Sequence, residues 1–86
     1  MSEDLIQRVT KVIATSKRIP LETVTIESEF AQLGIDSMDA VEILFALEGE
    51  FDITIPDDDV RSVRNVRDMC AGVERLVAAK SAPAGQ

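Results

Sequence analysis

Three stretches of the chain space their apolar residues three and four apart, and no stretch alternates apolar with polar. In residues 3–16 these are Leu5, Ile6, Val9, Val12 and Ile13. In residues 37–51 they are Ala40, Ile43, Leu44, Leu47 and Phe51. After Asn65 they are Val66, Met69, Cys70, Val73, Leu76 and Val77. A period near 3.6 with no period of two points to amphipathic helices and argues against a sheet. The chain has 86 residues, and a domain of this size buries only about 60% of the surface that its unfolded form exposes. The helices must therefore share one small core. Aromatic residues make up 3%, with no Trp or Tyr, so aliphatic side chains carry the packing.

Local signals mark the ends of these helices. Ser2 is a candidate N-cap for the first, and Lys17, Arg18 and Pro20 close it. From there to Asp36 no period holds, and a structureless stretch of that length is unusual in so small a domain. Its apolar residues, Ile19, Leu21, Val24, Ile26, Phe30 and Leu33, are expected to pin it across the bundle. Gly34 supplies a turn, and Asp36 is placed to cap a helix from Ser37 to about Phe51 by accepting a backbone N–H near Asp39. In "IPDDDV" Pro56 breaks the pattern and Asp57 is expected to cap a short helix reaching Ser62. The fold class is all-α: a small four-helix bundle, three helices long and one short, with a long first loop. The ending "SAPAGQ", residues 81–86, reads as a flexible tail.

Charge is unevenly placed. The net charge is −7, and residues 36–59 hold nine acids and no base. Such a segment repels nucleic-acid phosphates and anionic lipid and steers basic protein surfaces toward itself. A solubilising surface is the plain alternative, but an unbroken acidic run of this length favours a docking surface. The single cysteine, Cys70, cannot form an internal disulfide. The start "MSEDLIQRV" has early acids and no apolar signal region, and no run approaches a membrane span. A cytoplasmic monomer without membrane span or nucleic-acid partner is the expectation. Calcium and zinc sites are not supported, since "DITIPDDDVRSV" lacks the EF-hand ligand order and the chain has one Cys and no His. No metal is expected.

The second helix carries two apolar groups. Beside its core stripe runs a line, Met38, Val41 and Phe45, that borders Asp39 and Glu42. Two readings stay open for this line: the bundle buries it, or it forms a helix-in-groove contact with a partner. Ser37 lies in the first turn, where the two groups meet. As a nucleophile it lacks a base, because the chain has no His and its neighbours are carboxylates. No catalytic residue is proposed, and the chain is not expected to be an enzyme. With Asp36 able to act as cap, the Ser37 hydroxyl is free to be modified by another enzyme. A phosphate esterified there would lie at a helix N-terminus, where free N–H groups and the macrodipole favour negative charge.

These residues carry a resemblance. "LGIDSMDAVEILFALEGEFDITIPDDD" resembles the central segment of the acyl carrier protein family, whose signature is Gly-x-Asp-Ser-Leu opening the second helix. The helix order, the long first loop and the helix after Asn65 extend the likeness over nearly the whole chain, with residues 1–80 as the carrier domain. The resemblance implies that a phosphopantetheinyl transferase uses coenzyme A to attach 4'-phosphopantetheine to Ser37. It also implies that the arm's thiol holds acyl intermediates as thioesters and delivers them to the acyl-transferring, ketoacyl synthase and reductase type enzymes of fatty acid synthesis. By the same resemblance Asp36, Met38, Asp39, Val41, Glu42, Phe45, Asp57 and Asp58 meet basic, partly apolar partner surfaces. Phe30, Leu47, Ile55, Val63 and Met69 are candidates for an acyl pocket.

The chain departs from the pattern in four places. Met38 replaces the usual Leu, an exchange that nearly conserves volume. Gly49 interrupts the acidic face. Phe45 and Met69 are bulky for cleft-facing positions. Arg61, Arg64 and Arg67 stand beside the acidic helix, either to pair with Asp57–Asp59 or to alter partner choice. The spacing Phe30-x-x-Leu33-Gly34 is similar to carriers of polyketide pathways as well, so a specialised carrier for a polyketide or unusual lipid is the alternative within the family. An unmodified acidic adaptor that docks through Met38, Val41 and Phe45 is the rival from outside it.

Overall fold

The computed structural model describes residues 2–81. Four α-helices follow in order: α1 Glu3–Lys17, α2 Ser37–Phe51, α3 Asp57–Ser62 and α4 Val66–Ser81, with a 3-10 turn at Leu21–Thr23. The proposed tail falls largely at 82–86, outside the described residues, and Ser81 belongs to α4.

Each long helix begins on a side-chain cap. Ser2 Oγ accepts from Leu5 N–H at 3.1 Å, Asp36 Oδ1 from Asp39 N–H at 2.9 Å, and Asn65 Oδ1 from Asp68 N–H at 2.7 Å. These caps satisfy N–H groups that the helix itself leaves without partners. α1 ends where Arg18 takes the left-handed conformation (φ 60°), and Ile19 N–H returns to the Ala14 carbonyl at 3.0 Å. This is the carbonyl-satisfying exit common at helix C-termini. α3 differs from expectation: Pro56 holds the N-cap position and makes no side-chain cap bond, and Asp57 is the first helical residue rather than the cap.

The core gathers Leu5, Val9 and Ile13 of α1, Ile43, Leu47 and Phe51 of α2, and Val66, Met69, Cys70 and Val73 of α4. α1 packs on both α2 and α4. Of the predicted stripes, Leu5, Val9, Ile13, Ile43, Leu47, Phe51, Val66, Met69, Cys70 and Val73 are buried, while Ile6, Val12, Ala40, Leu44, Leu76 and Val77 are half-buried. Burial pushes the Cys70 thiol up to about 11, which keeps it protonated and inert at neutral pH. Arg8 closes one edge: its guanidinium lies 4.3 Å from the Phe51 ring centroid, and Nε donates to Glu50 Oε2 at 3.0 Å.

The long first loop is fastened to the far end of the chain. Phe30 N–H donates to the Arg64 carbonyl and Val66 N–H to the Ser28 carbonyl, both at 3.0 Å, as an antiparallel bridge between Glu29 and Asn65. Val24, Phe30 and Ile35 are buried along it, while Ile19, Ile26 and Leu33 are half-buried. Leu21 departs from the expected pinning, being 51% exposed in the 3-10 turn. Gly34 has φ +72° and an added Cβ would come within 3.9 Å of Lys17 Cε. The turn into α2 thus requires a backbone that L side chains rarely adopt.

Gly49 has no comparable reason to be glycine, since it is exposed in the interior of α2 and an added Cβ meets nothing within 4 Å. Gly49→Ala is expected to raise stability by about 0.5–1 kcal/mol through reduced freedom of the unfolded chain. Denaturant melts read at constant slope check this, and an unchanged midpoint contradicts it.

Candidate functional site: the Ser37 turn and its groove

Ser37 is the first residue of α2 and is exposed. Among the described residues its hydroxyl has no hydrogen-bond partner. The turn beneath it is held twice. Asp36 caps the helix through Asp39 N–H, and Asp39 Oδ2 accepts from Asp36 N–H at 3.3 Å, completing a reciprocal capping box. The same Asp39 oxygen accepts from Lys17 Nζ at 2.7 Å. Lys17, at the end of α1, passes over Gly34 to reach it.

This strap was not legible in the acidic run, where Asp39 reads as a residue that meets partner surfaces. Its hydrogen bond to Lys17 holds the Asp39 carboxyl below the ordinary 3.8, helped by the Asp36 N–H. The same bond raises Lys17 above the ordinary 10.5. A carboxyl depressed in the folded state adds stability above its unfolded value, and this is lost as pH falls through the folded one. A raised amine adds stability below its unfolded value, and this is lost as pH rises through the folded one. The strap therefore contributes between those limits and fades on either side. Asp39→Asn is expected to lower Tm near pH 7 and to have little effect well below pH 3.8. Added salt should shrink the neutral-pH difference, since both groups are partly open to solvent. A Tm difference independent of pH contradicts this assignment.

The second apolar line of α2 lies on the surface. Met38 is 77% exposed, Val41 43% and Phe45 65%. The structure thus leaves the line unburied, and Phe45 does not reach the cavity for which it seemed bulky. Asp36, Glu42 and Asp58 are exposed, whereas Asp39 is half-buried. The Asp57 side chain lies outside the described residues. Glu48 turns inward, accepting from Ile55 N–H at 2.8 Å. Arg61, Arg64 and Arg67 are exposed and, among the described residues, form no ion pair with Asp58 or Asp59.

A groove starts at Ser37, with Asp36, Ala40 and Val41 on one side and Val60, Arg61, Val63 and Arg64 on the other. Phe30, Ala40, Val60 and Val63 also line an internal apolar cavity of ≈ 30 Å³ between α2, α3 and α4. The groove and the cavity therefore share these four residues as a common wall. Phe30, Leu47, Ile55, Val63 and Met69 all line this cavity. Reading the sequence missed Ala40, Leu44, Val60, Gly72, Val73 and Leu76, which complete much of the wall. Spacing could have flagged Leu44 and Leu76, whereas a glycine gives no apolar signal. Among the described residues there is no cluster of metal-ligating side chains, and no helix is long and apolar enough to cross a membrane.

A helical domain with an exposed serine on a doubly capped helix start, beside an apolar cavity, fits a phosphopantetheine-bearing carrier. Residues 5–73 match the family described as the phosphopantetheine attachment site. The chain is 36% identical over 81 residues to chloroplastic acyl carrier protein 1 of Hordeum vulgare, covering 93% of this chain and 54% of that protein. It is 35% identical over 68 residues to the acyl carrier protein of Rickettsia bellii, covering 78% of this chain and 79% of that one. The chain thus spans about half the length of the barley relative and most of the bacterial one. The solved acyl carrier protein of Thermotoga maritima superposes with a TM-score of 0.81 at 28% identity, over 92% of this chain and 93% of the other. The mupirocin didomain ACP shares the fold, with a TM-score of 0.68 at 17% identity, over 99% of this chain and 45% of that one. The chain belongs to the acyl carrier protein family.

Proposed function

We propose that this chain carries acyl intermediates as thioesters on a 4'-phosphopantetheine arm attached to Ser37, and delivers them to the enzymes of fatty acid synthesis. The observation that carries this reading is the position of Ser37: an exposed hydroxyl, without a hydrogen-bond partner among the described residues, on a groove that shares a wall with an apolar cavity. Ser37 contributes only the oxygen. The chain has no His, so the base that removes the hydroxyl proton comes from the transferase. The arm's phosphate would sit at the N-terminus of α2, where the dipole favours an anion.

The exposed Met38, Val41 and Phe45, together with the exposed acids Asp36, Glu42 and Asp58, suit basic partner enzymes with a shallow apolar groove. Rim charges speed encounter and add little lasting affinity, as a carrier that docks and leaves repeatedly requires. The carrier is a monomer that is handled by catalysts rather than acting as one, and the buried, protonated Cys70 suits a reducing compartment such as the cytoplasm. Loading tests the reading: the phosphopantetheinylated chain, charged with a fatty acyl group, should release it to neutral hydroxylamine as a thioester does. A chain that stays unmodified yet binds partner enzymes through Phe45 would instead be an acidic adaptor.

A further inference from the structure

Gly72 lies in the interior of α4 (Val66–Ser81). Its φ is not in the positive range reserved for glycine; among the described glycines that holds for Gly34. An added Cβ at residue 72 meets nothing within 4 Å. Neither backbone geometry nor close packing explains a residue that weakens a helix relative to alanine. Its position does. Met69, Gly72, Val73 and Leu76 form the α4 wall of the cavity, spaced i, i+3, i+4 and i+7 along one face. At ≈ 30 Å³ the cavity has room for about two water-sized groups. Gly72 brings only backbone to this wall, so a side chain there adds bulk beside the cavity.

We propose that Gly72 is a specificity-determining residue: the missing side chain is the gap in the α4 wall into which an acyl chain extends, and residue 72 sets the longest chain the carrier shelters. The proposal rests on the carrier reading above. The ligand class is a hydrocarbon acyl chain, since the wall is apolar except for Asp59. Gly49 serves as an internal control, being a helix-interior glycine with equal room for a Cβ but no place in the cavity.

The test loads the phosphopantetheinylated wild type, Gly72→Ala, Gly72→Leu and Gly49→Ala with butanoyl, octanoyl, dodecanoyl and hexadecanoyl groups. Intact mass confirms loading, and Tm is measured for each form against its own unacylated holo form. The wild-type Tm should rise along the series until the chain outgrows its shelter, because each sheltered methylene leaves water only in the folded state. In Gly72→Leu the octanoyl gain should fall by about half or more, with Gly72→Ala between it and the wild type. Gly49→Ala should raise every Tm together and keep the wild-type profile. A wild-type profile in both Gly72 variants overturns the proposal, as does a flat profile in loaded wild type. If Gly72→Leu does not fold, the alanine variant decides alone. If wild type takes up no phosphopantetheine, the mass measurement shows that the carrier reading has failed, and the proposal falls with it.

Discussion

Ser37→Ala is expected to give a fully folded chain that accepts no phosphopantetheine. The fold is insensitive to the hydroxyl because the structural work of the turn is done by its neighbours. Asp36 caps α2, Asp39 completes the reciprocal bond to Asp36 N–H, and Lys17 holds Asp39 from α1. Ser37 Oγ contributes no hydrogen bond to any described residue, and alanine is well suited to a first helical turn. Stability should change by no more than about 0.5 kcal/mol, the range for surface positions without such a role. Loading, in contrast, should be lost completely, since among the described residues no other hydroxyl-bearing side chain lines the groove. Unchanged circular dichroism and Tm together with an unshifted mass is the expected pair of results. Residual loading of the variant would place the attachment elsewhere.

Leu47→Ala is expected to be the most damaging single change to the fold. Leu47 is 0% exposed, sits in the core and also forms part of the cavity wall. Truncating a buried Leu costs about 2–5 kcal/mol, and the cost is larger when the site cannot collapse. Here the void would merge with an existing cavity, and the aliphatic residues around it come from several elements. For a domain whose whole stability is on the order of 5–15 kcal/mol, Leu47→Ala should lower Tm sharply or leave the chain unfolded at 37 °C. Chemical denaturation followed by circular dichroism measures it. A loss below about 1 kcal/mol would mean that the position is not packed as described. Phe45→Ala gives the contrast, since Phe45 is 65% exposed and should cost far less.

What could be read in the sequence follows from how local the physics is. The bounds of α2 and α3 were legible because Asp36 and Pro56 mark them within the chain itself. The core stripes were legible because burial at period 3.6 shows in the order of the residues. The long first loop was legible as a stretch pinned by its apolar residues, but its fastening was not, because that comes from pairing Glu29 with Asn65, a long-range contact without a local pattern. Lys17 and Asp39 are likewise far apart in the chain, so Asp39 read as one acid among nine when it in fact ties α1 to the Ser37 turn. The face of Met38, Val41 and Phe45 stayed open because a helix with two apolar groups does not say which one a small bundle has room to bury. The cavity candidates carried an apolar signal, whereas Gly72 is informative only through what is absent at its position.

The account stands on covalent loading of Ser37, and intact mass tests this most directly. The purified chain, confirmed unmodified, is incubated with coenzyme A and a broad-specificity phosphopantetheinyl transferase, with Ser37→Ala alongside. The account predicts a gain of one phosphopantetheine on the wild type and none on the variant. No gain on the wild type with any of several transferases, or an equal gain on both, would contradict it.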